Sequence, residues 1–146
     1  MSEALYSRDI LRLAVSIPNQ GRLDNPHGSS ENRSRTCGSR VIADVCLSSD
    51  DRIAALGLEI NACALGQASA AILGREAIGK PLAEISQTRD HLAAFLVGTE
   101  AHAGVWDQMG LLEAARDHQG RHAAILLPYD AVIAATKAAL AKQKAI

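Results

Sequence analysis

Three cysteines, Cys37, Cys46 and Cys63, hold most of the chemistry this chain has to offer. A thiolate is both a nucleophile and a soft metal ligand, so two that meet would make a candidate ligand site. An odd cysteine count argues against a disulfide framework, and so does the opening MSEALYSRDI, which lacks the basic start and apolar run of an export signal. The expectation is a soluble, cytoplasmic protein with at least one free thiol. Cys63 follows Asn61, a good helix N-cap, which would place its sulfur in a first helical turn where unpaired amides favour an anion. Cys37 sits in Thr36-Cys37-Gly38-Ser39, where Gly38 allows close approach of a ligand or another backbone. Among the histidines, His122 follows Gly120 and Arg121 ahead of a helix and is a candidate ligand. His91, His102 and His118 fall at exposed or helix-end positions and read as surface residues.

These side chains need elements to position them. Residues 40–47 alternate, with Val41, Ala43, Val45 and Leu47 on one face and Arg40, Ile42, Asp44 and Cys46 on the other, as in a half-buried strand. Ser48, Ser49, Asp50 and Asp51 supply turn chemistry, and a second strand follows through Leu56, Leu58 and Ile60. In such an antiparallel hairpin the start of the first strand lies beside the end of the second, so Cys37 and Cys63 flank the same end. Cys46 is nine positions beyond Cys37, roughly 30 Å along a continuous strand, and reads as structural.

Around the hairpin, residues 3–17 carry helical spacing that Pro18 stops. Residues 19–36 are polar, with Gly, Asn, Pro, Ser and Arg, and read as a mobile loop. Its Arg22, Arg33 and Arg35, with Arg40 just beyond, are a candidate docking surface for an acidic partner. A helix over about 62–78, another over 82–98, a third capped by Asp107 and a last one opened by Pro128 complete the chain. Strands and helices are segregated, so the fold class is α+β, in one domain over 1–146.

Composition narrows the function. The chain has 146 residues, a formal net charge of -1 and only one Phe, one Trp and two Tyr. A nucleic-acid binder would normally carry a basic face, so no nucleic-acid partner is expected. No run approaches 18 consecutive apolar residues, so no membrane partner is expected either. No phosphate loop, dinucleotide fingerprint or nucleophile elbow occurs, which disfavours a hydrolase or a cofactor-dependent enzyme.

Pro18-Asn19-Gln20-Gly21-Arg22-Leu23, Cys37-Gly38, the hairpin, Asn61-Ala62-Cys63 opening a helix, and Gly120-Arg121 to Leu127-Pro128 together resemble the NifU-like iron-sulfur cluster assembly scaffold family. The resemblance implies a small three-stranded antiparallel sheet packed with helices, its third strand drawn from residues 29–36. It implies a scaffold, not an enzyme, that binds iron, zinc or a labile [2Fe-2S] cluster through Cys37 and Cys63. The implied partners are a cysteine desulfurase and apo iron-sulfur proteins. An alternative is a metal-free persulfide acceptor, with Cys63 taking the sulfur, or an adaptor for the desulfurase. The pattern departs from the family at two positions: Ser39 stands where an Asp is usual, and Ala124 where a third cysteine is usual. Ser39 and His122 are the remaining candidates to supplement the two thiols.

Overall fold

The computed structural model describes residues 5–35 and 38–145. Its elements are α1 (Arg8–Ala14), β1 (Gly28–Arg33), β2 (Arg40–Leu47), β3 (Ile53–Asn61), α2 (Ala64–Glu76), α3 (Leu82–Leu96), 3-10 turns over Met109–Asp117 and Gln119–Arg121, and α4 (His122–Lys144). The fold is α+β, with one antiparallel sheet in the order β1-β2-β3.

The hairpin over 40–61 forms as the alternation requires, with Val41 paired to Ile60, Ala43 to Leu58 and Val45 to Leu56. Val41, Ala43, Val45 and Leu58 are fully buried, and α4 packs across β1 and β2 while α2 packs beside β3. α2 and α4 also pack on each other, α1 lies against α2, and α3 lies against α4. Such Ala-rich helices approach closely: Ala68, Ala70, Ala71, Ala131 and Ala135 are all fully buried. By length and composition α4 could cross a membrane, yet its apolar residues are spent in this core.

Four expectations change. Residues 28–33, inside the stretch read as loop, form β1 along β2 with Gly28 opposite Val45 and Arg33 opposite Arg40. β2 is buried on both faces, because residues 21–23 cross the outer side of the sheet. Just before the crossing, the segment pairs along the free edge of β3, where Gly21 N–H donates to Leu58 O at 2.8 Å and Leu58 N–H donates to Asn19 O at 2.8 Å. Gly57 makes this crossing possible, since a Cβ there would stand 2.7 Å from Gly21 O. The third helix is a 3-10 segment whose N-cap is Gln108, in the left-handed region at φ 68°, and not Asp107. Finally, α4 starts at His122, so Pro128 lies inside the helix instead of opening it. Pro128 has no N–H to give Ala124 O, and the burial of Ile125, Leu127 and Tyr129 on either side of it holds the helix together.

Candidate thiol site at the end of the sheet

Arg40 pairs with Asn61 at the end of the β2–β3 ladder, and Arg33 pairs with Arg40 at the same end of the β1–β2 ladder. Two connections therefore leave the sheet side by side. One is the β1–β2 loop, residues 34–39, tied by Ser34 N–H to Ser39 O at 2.9 Å and by Gly38 N–H to Ser34 O at 3.2 Å. The other is the step from β3 into α2. Cys37 belongs by sequence to the first loop and lies outside the described residues.

Cys63 is the N-cap of α2, extended at φ -66° and ψ 170°, with its own carbonyl accepting from Gln67 N–H at 2.9 Å. Asn61, expected as the cap, is instead the last residue of β3. The helix thus begins one residue after Cys63, which sits before the first turn and not in it. No side chain caps this helix, and Cys63 is a free, half-buried thiol packed against the core edge. The first three amides of α2, those of Ala64, Leu65 and Gly66, therefore have no intrahelical acceptor.

The other sequence candidates divide. Ser39 is buried in the loop closure, and its carbonyl already serves Ser34. Gly38 has φ +70° with nothing within 4 Å of a Cβ, so glycine is needed there for its left-handed backbone and not for close approach. His122 opens α4, but its Nε2 lies 2.8 Å from Ala115 O, which can only accept; that nitrogen carries the proton, and only Nδ1 is left to ligate. Ala124 is fully buried against the first turn of α2: a Cβ on Gly66 would stand 3.2 Å from Ala124 O. One turn on, Ser69 Oγ donates to Ile125 O at 2.6 Å and fixes the two helices together. Among the described residues, no group of three or more His, Cys, Asp or Glu side chains could hold a metal ion. Cys46 is half-buried near the opposite end of β2, opposite Ala55, about 20 Å from Arg40 along the strand, with its Sγ 3.6 Å from Asn25 O.

Sequence reasoning missed one conspicuous charged cluster, at the middle of the sheet. Asp44, on the outer face of β2, is fully buried and accepts four hydrogen bonds: two from Arg22, one from Ser29 Oγ at 2.6 Å and one from Leu23 N–H at 3.0 Å. Burial alone would raise the Asp44 pKa, but Arg22, Ser29 and the Leu23 amide outweigh it and hold the carboxyl below its ordinary value. An aspartate in the middle of an apolar alternation, 22 residues from an isolated arginine, was the available signal. The cluster pins residues 22–23 over the sheet and is a structural support, not a metal site.

No protein-family model matches the chain. No curated protein matches it either. Solved structures do. The crystal structure of the N-terminal part of a nitrogen-fixing NifU-like protein from Brucella abortus superposes with a TM-score of 0.85 at 29% identity, covering 97% of this chain and 98% of that one. A protein from Fervidobacterium islandicum, described as a candidate iron-sulfur cluster assembly scaffold for the SUF system, gives 0.84 at 23% identity over 93% and 99%. A third structure, of a hypothetical protein, gives 0.78 at 22% identity over 92% and 98%.

Proposed function

We propose that this chain, NifU-like in fold over nearly its whole length, is an iron-sulfur cluster assembly scaffold that receives iron and sulfur on Cys37 and Cys63. The observation that carries the reading is the Arg40–Asn61 pairing, which makes the loop holding Cys37 and the helix cap holding Cys63 leave one end of the sheet together. A free, half-buried thiol at a helix N-cap is a candidate ligand for such cargo. The cargo is iron or a labile [2Fe-2S] cluster, with zinc as a competitor for the same sulfurs. Sulfur would come from a cysteine desulfurase, and the product would pass to apo iron-sulfur proteins in the cytoplasm. Nothing in this role requires bond-breaking catalysis by the chain itself.

Closed cluster and zinc sites normally have four protein ligands. Two thiols leave the cargo loosely held, with small thiols, water or His122 Nδ1 filling the shell. That suits a protein whose task is release. Anaerobic reconstitution with ferrous iron and sulfide tests the proposal. The parent should acquire visible charge-transfer absorbance and bound iron that the Cys37→Ser/Cys63→Ser double variant lacks; equal loading of the two would overturn it.

Ala124 favours a second reading. With no third sulfur, Cys63 also fits a persulfide acceptor. Its thiolate would attack the outer sulfur of the desulfurase persulfide, forming a Cys63 persulfide and releasing the desulfurase cysteine as thiolate. Mass spectrometry after incubation with desulfurase and cysteine should then show one added sulfur on Cys63 in metal-free protein.

A further inference from the structure

Of the four arginines that the sequence offers as a docking surface, the structure removes one and regroups the others. Arg22 is committed to buried Asp44 and faces the outer side of the sheet. Arg33 and Arg40 share a single carboxylate, Glu31, at 2.8 and 2.9 Å. Arg35 is exposed and has no ion-pair partner among the described residues. The β1 side of this end therefore holds three guanidinium groups against one carboxylate.

That surplus borders a groove of about 380 Å³ running between the start of the β1–β2 loop and α4. Arg33 and Arg35 form one wall, Arg89 of α3 the other, and Ala123 and Leu126 of α4 the floor. Arg89 is not free: its Nε lies 2.9 Å from Asp130, which also lines the groove, and its Nη1 lies 3.4 Å from Asp90. The two walls thus differ: Arg89 faces two carboxylates, whereas the loop side is in positive excess. Ala123 is exposed and Leu126 half-buried, so the floor is apolar and open.

We propose that this groove docks an acidic segment of a partner protein, its carboxylates on Arg33 and Arg35 and a leucine-sized side chain on Ala123 and Leu126. Charge complementarity selects the occupant. A second copy of this chain would have to bring an acidic, apolar segment of its own, and the exposed Arg-rich rim of one copy would meet that of the other in a symmetric contact. Because Arg35 lies two residues before Cys37, a partner seated here would be held beside the thiol loop. The inference needs no metal and stands or falls apart from cluster binding.

Fluorescence anisotropy with the metal-free full chain tests it, using a labelled ten-residue peptide of Glu and Asp with two leucines. Two companion peptides carry Gln and Asn for the acids, or Ser for the leucines. The parent peptide should bind in a salt-dependent manner, and both companions should bind more weakly. Arg35→Glu and Ala123→Glu, both at exposed positions, should weaken binding roughly fivefold or more with unchanged circular dichroism. Lys137→Glu, at an exposed position in the distal half of α4, should leave it unchanged. Absence of binding, equal loss in Lys137→Glu, no loss in Arg35→Glu, or concentration-dependent self-association that alone fills the groove would each overturn the proposal.

Discussion

Arg22 and Asp44 meet in a two-point ion pair, Nε to Oδ2 at 2.7 Å and Nη2 to Oδ1 at 3.0 Å, with the carboxylate fully buried and the guanidinium half-exposed. The pair fastens the crossing segment to the middle strand, and its acid partner makes stability depend on pH. Asp44 has a folded pKa below the unfolded one. Its contribution is therefore present above the unfolded value of about 3.9 and is lost as pH falls through the lower folded value. Urea midpoints of the parent should drop steeply below about pH 4. Asp44→Asn should cost about 2 kcal/mol at neutral pH, from lost charge-assisted hydrogen bonds, and should flatten the acid limb. An Asp44→Asn variant that kept the parent's full acid slope would assign that slope to other carboxylates, such as Glu31 and Asp50, which are also held low by neighbouring donors.

Gly57 lies opposite Asp44 in the ladder and under the same segment. A methyl there would meet Gly21 O at 2.7 Å and Leu23 at 3.2 Å, so the crossing strand would have to lift. Gly57→Ala should cost about 1–3 kcal/mol, a melting temperature lower by roughly 2–10 °C. Thermal melts followed by circular dichroism check this, and amide exchange should quicken first at Gly21 and Leu58, whose mutual pairing depends on the close approach.

Ser69 is fully buried, and its hydroxyl reaches Ile125 O across the α2–α4 interface. Ser69→Ala keeps the size of the contact and removes only the bond, so the expected loss is about 1 kcal/mol, or roughly 2–4 °C in melting temperature. The softened interface adjoins Gly66 and Ala124, so amides in the first turns of α4 should exchange faster while those of β2 do not.

The sheet was legible where its pattern was apolar and illegible where it was not. Residues 40–47 alternate clearly and became β2, whereas β1 reads Gly-Ser-Ser-Glu-Asn-Arg and has no apolar period. It pairs at the edge of the sheet through its backbone, and Gly28 is buried there only because α4 crosses directly above it. Only the family resemblance placed a strand in that region. Pro128 misled for a related reason: local chemistry says that a proline opens a helix, but burial of its neighbours outweighs one missing hydrogen bond. At the candidate site, sequence order indicated which end of the hairpin holds Cys63, and register bears this out. It did not show that Cys63 would itself be the cap, since Asn61 is the better cap by type but is held in the ladder by Arg40.

Ala124 is the position at which the proposed site can be rebuilt. It is fully buried beside Gly66, three residues into the helix that Cys63 opens. A sulfur added there would therefore lie against the first turn of that helix, on the side where the sheet ends. Ala124→Cys should cost about 1 kcal/mol from overpacking a close contact, measured by urea unfolding of the metal-free protein. In return, a third thiolate should slow cluster loss after reconstitution, giving a longer half-life of visible absorbance in the presence of a chelator. The gain should vanish when Cys63→Ser is added, because one replaced sulfur returns the site to two. A stable Ala124→Cys protein that lost its cluster as fast as the parent would show that the cargo is held away from the α2–α4 junction, and would count against the end of the sheet as the binding place.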